Sequence, residues 1–301
     1  MESDLTRVTL DNGIELDVWD VGPRDAPALV FLHGFPENHR TWRHQVAHLS
    51  DRYRCIAPDQ RGYGNSSRPE GAEHYEAGAI AGDIAGLAAK LELGSYTVVG
   101  HDWGGAIAWL MAAHGQANGH VERLIIANSP HPMVFARLLF ENADQRAASQ
   151  YFNTFRDTSN DALVREHGLA ALLAKVFDFS DRKPNDPAQT ALMLEQWSDP
   201  DRAIAMLNWY RASPLIVPPM DAPMGVPAGI NAPAFPKLTI PTLVMWGLDD
   251  VALVPANLDG LDAWIEDLTL VPVEGAGHFL PWEAPDAVNA AMDEFLLATQ
   301  K

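Results

Sequence analysis

The chain has 301 residues, of which 40 are Asp or Glu and 21 are Lys or Arg, giving a formal net charge of −19 and a pI near 4.8. So acidic a surface repels phosphate backbones, which argues against nucleic acid as a partner. With 47% apolar and 20% charged residues, the composition is that of a soluble globular protein and excludes a disordered, collagenous or coiled-coil chain.

The chain opens with Met1-Glu2-Ser3-Asp4, which lacks the basic and apolar regions of a secretory signal. No run of about 18 apolar residues is present to span a membrane. The single cysteine, Cys55, rules out an intramolecular disulfide and a thiolate metal site, and it reads as a small buried hydrophobe. A reducing cytoplasm is the expected location.

Arg7-Val8-Thr9-Leu10 and Glu15-Leu16-Asp17-Val18-Trp19 flank Asp11-Asn12-Gly13, which predicts a hairpin whose Asn-Gly pair takes the positive φ angles of a tight turn. Four strands are predicted next: Ala28–Leu32, Arg54–Ala57, Tyr96–Val99 and Leu124–Ala127. They are apolar without alternation, as strands covered on both faces are. Helical patterns near 39–49, 77–92 and 104–116 lie between them, so the fold class is α/β with a mostly parallel sheet flanked by helices.

The alternation breaks after Ala127. Residues 131–236 read as helix and loop, with a Pro/Gly-rich exit that includes Val217-Pro218-Pro219-Met220, Gly229 and Pro233. Strand signals return at Thr242–Trp246 and Leu268–Pro272, and a last helix spans Pro285 to Ala298. One α/β core domain, 1–130 and 237–301, is therefore expected to carry a helical domain, 131–236, inserted in it.

The run Gly100-His101-Asp102-Trp103-Gly104-Gly105 follows an apolar strand and precedes a helical pattern. It has the Gly-x-nucleophile-x-Gly form of a nucleophile elbow, in which a sharp strand-to-helix turn lifts the central side chain above the sheet. That residue is aspartate rather than serine. A carboxylate suits displacement at an sp3 carbon, with formation of an alkyl ester on the enzyme. Two carboxylates, Asp249 and Asp250, end the strand-like run from Ile240, and His278 stands in a glycine loop before the last helix. Nucleophile, acid and histidine thus occur in the chain order that this architecture uses. His33-Gly34-Phe35 follows a strand, so the backbone N–H groups of Phe35 and Trp103 are candidates for an oxyanion hole. His33 itself reads as structural.

These motifs resemble the α/β-hydrolase superfamily, and more closely its aspartate-nucleophile branch of epoxide hydrolases and dehalogenases. His33-Gly34-Phe35-Pro36-Glu37, Arg61-Gly62-Tyr63-Gly64-Asn65-Ser66-Ser67 and the Asp102 elbow are similar to the epoxide hydrolase pattern. The resemblance implies an α/β-hydrolase fold in which the insert is a cap domain, and a cis peptide bond before Pro36. The family's Trp-Gly-x-x-Asp acid motif selects Asp250 over Asp249. Epoxide hydrolases carry two cap tyrosines that protonate the opening epoxide. Tyr210, in Asn208-Trp209-Tyr210-Arg211-Ala212, and Tyr151 are the only tyrosines of the insert.

The implied activity opens a small apolar epoxide to a vicinal diol. Asp102 forms an ester, and water activated by His278, oriented by Asp250, hydrolyses it. No cofactor or metal is implied; the partners are the epoxide and water, with no nucleic acid or membrane, in a monomer or homodimer. The alternative is a haloalkane or haloacetate dehalogenase with the same nucleophile. Against it, Phe35 has no side-chain donor for a halide, and no arginine follows Asp102 to hold a haloacid. Trp197, Leu215, Ile216, Val217 and Met220 are candidates to line the pocket.

Overall fold

Strands such as Ala28-Leu29-Val30-Phe31-Leu32 are apolar at every position because the sheet is covered on both faces. The computed structural model describes residues 5–177, 186–227 and 235–300. Met1–Asp4, Gly229 and Pro233 lie outside the described residues. Eight strands form one sheet: β1 (Thr6–Thr9), β2 (Glu15–Val21), β3 (Ala28–Leu32), β4 (Arg54–Pro58), β5 (Tyr96–His101), β6 (Val121–Ala127), β7 (Thr242–Gly247) and β8 (Leu268–Val273). The spatial order is β1-β2-β4-β3-β5-β6-β7-β8. β2 pairs antiparallel with β1 and β4, and every other pairing is parallel.

Odd and even residues of one strand serve different cores. Val30 and Leu32, with Val98, Ile126, Val244 and Trp246, join a cluster with α2 (Ala77–Lys90) and α3 (Asp102–Gly115). Leu29 and Phe31, with Cys55, Val99, Ile125 and Met245, join a second cluster on the opposite face. That face is closed by α1 (Arg43–Leu49) and the last helix of the chain, Pro285–Ala298. The two helices pack together, and Asp293 accepts from His48 Nε2 at 2.7 Å and Arg52 Nη2 at 2.9 Å. Cys55 is fully buried as expected, and burial pushes its thiol up to about 12.

The hairpin between β1 and β2 differs from expectation. Only Gly13 takes positive φ, 82°. The five-residue connection is closed by Leu10 N to Ile14 O at 2.8 Å and Gly13 N to Leu10 O at 3.0 Å. Asn12 acts through its side chain instead: Oδ1 accepts from Ile14 N, and Nδ2 donates to Asp83 at 2.8 Å. An Asx-type bond thus replaces the second left-handed residue.

Between β6 and β7 the chain forms α4 (Pro132–Glu141), α5 (Ala143–Ala148), α6 (Tyr151–Arg156), α7 (Asp161–His167), α8 (Leu169–Val176), α9 (Pro187–Ser198) and α10 (Pro200–Ala212). No strand occurs among the described residues of this stretch. Its apolar side chains, among them Phe152, Phe155, Met206 and Tyr210, continue the first core cluster over the carboxyl ends of the strands. The short α11 (Leu280–Glu283) and α12 (Pro285–Ala298) end the chain.

The strand order places the site. β3 leads out to β4 on one side, and the chain then crosses back to lay β5 on the other side of β3. The loops leaving β3 and β5 therefore diverge at a topological switch point, where open α/β sheets form their crevice.

Candidate active site

The turn after β5 is sharp enough to admit only glycine two positions to either side of Asp102. A Cβ on Gly104 would come within 2.3 Å of Leu32 O and 2.4 Å of His33 O, and one on Gly100 within 2.6 Å of Gly104 O. Asp102 takes φ 50°, a left-handed value that a non-glycine residue adopts only under constraint. Its backbone oxygen accepts from Ser129 Oγ at 2.7 Å. The turn directs its carboxylate at the loop after β3, where Phe35 N–H donates to Oδ1 at 2.7 Å. The backbone N–H of Trp103 donates to the same carboxylate.

His33 is structural, as expected. Nδ1–H donates to Gly34 O at 3.0 Å, and Nε2 accepts from Gln60 N at 3.1 Å. Burial lowers its pKa to about 4 and keeps the ring neutral. The peptide bond between Phe35 and Pro36 is cis.

Asp250 sits in the turn after β7. Its Oδ1 accepts from Ala252 N at 2.8 Å and Leu253 N at 2.9 Å. Its Oδ2 accepts from Asn128 Nδ2 at 2.7 Å and from His278 Nδ1–H at 2.8 Å. Asp249, the other sequence candidate, is exposed. The opposite edge of the His278 ring lies against Asp102, with Nε2 at 3.5 Å from Oδ2. The structure therefore brings Asp102, Asp250 and His278 into one line, with Asp250 and His278 buried and Asp102 partly exposed.

Charge is strongly organised along this line. Burial penalises the imidazolium of His278, but Asp250 and Asp102 outweigh that penalty and raise its pKa to about 10. Burial likewise disfavours ionised Asp102 and Asp250, yet contact with His278 holds both below the usual carboxylate range. At neutral pH the resting arrangement is carboxylate, imidazolium, carboxylate.

Tyr151 and Tyr210 come from α6 and α10. Pro200 and the Asp199 cap, which accepts from Asp201 N and Arg202 N at 3.1 Å, start α10. Trp209 Nε1 docks that helix on Arg61 O at 3.0 Å. The next residue, Tyr210, then turns toward the elbow, with its ring 5.0 Å from Phe35 and 5.1 Å from Trp103. The Trp103 indole donates to the Tyr210 hydroxyl. The Tyr151 ring is 5.9 Å from that of Tyr210, among Phe152, Phe155 and Phe177. Burial raises both phenols well above the usual tyrosine value, helped by Asp102 and Asp250 at Tyr151 and by Tyr151 and Asp102 at Tyr210, so both are protonated donors.

Of the pocket candidates, Val217 is buried, and Trp197 and Leu215 are partly buried against the core. Ile216 and Met220 are corrected: they are 53% and 54% exposed on a loop that leaves α10 for the surface. A groove of about 450 Å³ between α2 and α3 holds none of the site residues. Among the described residues no group of three or more His, Cys, Asp or Glu side chains could hold a metal ion.

Sequence reasoning passed over several residues that hold this site. Asn128, at φ 40°, binds Asp250 and also takes Gly247 N at 2.8 Å. Its signal was its place, a polar residue at the carboxyl end of a buried strand. Glu283 accepts from Gly277 N at 2.7 Å and Phe279 N at 3.0 Å, gripping the loop on either side of His278. His101 Nε2–H donates to His278 O at 2.8 Å, and its Nδ1 lies 3.6 Å from Glu37 Oε2. Burial raises Glu37 to about 7 and lowers His101 to about 4. Gln145 of α5 binds Ala252 O at 2.9 Å and Val254 N at 3.0 Å, bracing the Asp250 loop.

A mostly parallel sheet with a nucleophile elbow, an acid after a later strand and a histidine loop before the last helix defines a hydrolase class. The family model for the alpha/beta hydrolase fold matches residues 27–285. The chain belongs to that family. It is 34% identical to the AB hydrolase superfamily protein YfhM of Bacillus subtilis, over 95% of both chains. A solved structure described under novel epoxide hydrolases of the alpha/beta hydrolases superfamily, from metagenomes of hot environments, is 58% identical. It superposes with a TM-score of 0.96 over 98% of this chain and 99% of that one. The Bacillus megaterium epoxide hydrolase, solved with an inhibitor, is 29% identical with a TM-score of 0.84, over 97% of this chain and 100% of that one. No helix among the described residues is long and apolar enough to cross a membrane.

Proposed function

We infer that this chain is an epoxide hydrolase that converts an epoxide and water to a vicinal diol. The observation that carries this reading is the pair of buried, protonated phenols at the elbow carboxylate, Tyr210 packed with Phe35 and Trp103 and Tyr151 packed against Tyr210. An epoxide oxygen needs a proton as its ring opens, and a neutral phenol is a fitting donor. In this proposal the helices of residues 131–236 form a cap domain over the core of 1–130 and 237–301.

Asp102 Oδ2 attacks a ring carbon while Oδ1 stays on the Phe35 and Trp103 N–H groups. The ring C–O bond breaks, its electron pair stays on oxygen, and a tyrosine supplies the proton. Esterification removes the Asp102 charge that helped to hold the His278 imidazolium. His278 then loses its proton to restore the tyrosine and becomes a neutral base. It takes a proton from water, and the hydroxide attacks Cγ of Asp102. The charge that develops on Oδ1 falls to the two backbone donors. Collapse of this intermediate releases the diol and restores the ion pair. A cytoplasmic location is part of this proposal; Cys55, a lone buried thiol, fits a compartment where no disulfide is made.

The test is diol formation from styrene oxide and cyclohexene oxide by wild type and by Tyr210→Phe. Wild type is expected to produce diol, and the variant to fall by about tenfold or more, since a positioned acid contributes roughly 10²–10⁴-fold. No diol from either substrate would overturn the reading and direct the assay to halide release from haloalkanes and haloacids.

A further inference from the structure

We propose that Trp197, on α9, is a positioning residue that holds the oxyanion-hole turn in register from the insert side. The inference rests on the epoxide hydrolase reading above and concerns its second chemical step.

The turn Gly34-Phe35-Pro36-Glu37 carries Phe35 N–H, the donor that faces Asp102 Oδ1 at 2.7 Å. Glu37 N closes the turn on Gly34 O at 3.1 Å. From the core side, the Glu37 carboxylate is held by Trp282 Nε1 at 2.8 Å and Thr41 Oγ1 at 2.9 Å. Pro36 has no N–H, so its carbonyl is its one backbone polar group. That carbonyl accepts from the Trp197 indole at 2.8 Å, across 161 positions of sequence. Among the described residues this is the turn's one hydrogen bond to the insert.

The helix that supplies it is otherwise superficial. No residue of α9 is fully buried, and Trp197 is the residue of α9 that packs against the apolar core. The backbone of the same residue is crowded from the other side. A Cβ on Gly168, at the junction of α7 and α8, would come within 2.9 Å of Trp197 O. Trp197 is thus held by its backbone at a tight helix junction and by its indole at the turn that carries the oxyanion donor.

The two steps should respond differently to loss of this bond. In alkylation, charge leaves the Asp102 carboxylate, so Phe35 N–H is not needed more in the transition state than before it. In ester hydrolysis, a full negative charge develops on Oδ1, and the aim of that N–H decides the rate. A misplacement of roughly 1 Å is worth about 10²-fold, and a turn released at one of its anchors moves by a fraction of that.

The experiment is a single-turnover time course with styrene oxide, read by intact-protein mass and by diol, for wild type, Trp197→Phe and Trp197→Gln. Trp197→Phe keeps a ring and removes the N–H. It is expected to form the alkyl-enzyme within about twofold of the wild-type rate and to hydrolyse it about tenfold more slowly. An adduct of protein plus substrate should then accumulate. Trp197→Gln gives up the ring but offers an N–H, and it should hydrolyse the ester faster than Trp197→Phe. Trp197→Met, which also lacks a donor, takes the place of the phenylalanine variant if that does not fold. Ester hydrolysis at the wild-type rate in the donor-less variant, or equal slowing of both steps without an adduct, overturns the proposal while diol formation by wild type stands. Absence of both adduct and diol in wild type overturns the enzymatic reading itself.

Discussion

At the scale of single residues, the two oxygens of Asp102 are already distinguished. Oδ1 receives Phe35 N–H at 2.7 Å, whereas Oδ2 lies 3.5 Å from His278 Nε2. In the proposed reaction Oδ2 forms the ester, and the diol should carry it away. A single turnover of wild type in water enriched in ¹⁸O is therefore expected to leave the label in Asp102, with unlabelled diol. Replacing His278 by Gln removes the base and should trap the ester. Intact mass should then rise by the mass of the epoxide, and an unmodified protein after exposure to substrate would refute the two-step scheme. The roles of Asn128 and Glu283 are indirect. They fix where Asp250 and His278 stand through one side-chain bond and a pair of backbone bonds.

At the scale of elements, the unit that matters is strand β5, its turn and helix α3. Gly104 lies against the carbonyls of Leu32, at the end of the neighbouring strand, and of His33 just beyond it, and neither is a flexible side chain that could yield. Gly104→Ala should therefore destabilise the fold by about 3 kcal/mol, the upper end for overpacking, with a matching drop in the urea midpoint at unchanged slope. An unchanged midpoint would mean that the crowding at this turn is relieved at little cost. This unit was the most legible part of the sequence, because its glycines and its apolar strand carry local signals. His278 and Asp250 were legible for the same reason: each follows a strand-like run at a turn. The holding residues were not. Asn128 meets Asp250 across 122 positions and Gln145 meets Ala252 across 107, and no local pattern encodes such a meeting. The hairpin failed differently, since Asn12 can satisfy its turn by a side-chain bond as well as by a left-handed backbone, and the dipeptide alone does not distinguish them. Ile216 and Met220 were misjudged because an apolar side chain in a proline-rich exit carries no period to show which way it faces.

At the scale of the whole molecule, buried titratable groups set the pH range of stability. Burial lowers His33, His101 and His131 from 6.5 to about 4, so between those values the unfolded chain binds three protons that the folded chain does not. Stability from this source is lost as pH falls through that window. Glu37, raised by burial from 4.5 to about 7, acts in the opposite sense between those limits, one group against three. His278, raised to about 10 by its two carboxylates in spite of burial, contributes stability that is lost as pH rises from 6.5 toward 10. The thermal midpoint should therefore peak near neutrality and fall on both sides. In His278→Gln the alkaline limb should flatten by as much as one proton, about 1.4 kcal/mol per pH unit. Calorimetry between pH 4.5 and 9.5 checks both limbs, and an alkaline limb of unchanged slope in the variant would contradict the assignment.

The pairing of α1 with α12 has a consequence for how the chain is made. Phe31, Val99, Ile125 and Met245 look out from the sheet onto the face that these two helices cover, and Val288, Met292, Phe295 and Leu296 of α12 complete it. During synthesis the strands leave the ribosome long before α12 does. Until α12 emerges, α1 alone covers that side of the sheet and the rest of it stays apolar and open, the kind of surface that draws chaperones or sticks to its own kind. Nascent chains stalled before Pro285 should therefore aggregate rather than acquire partial activity. A helix translated after every strand of the sheet is the one that makes those strands safe.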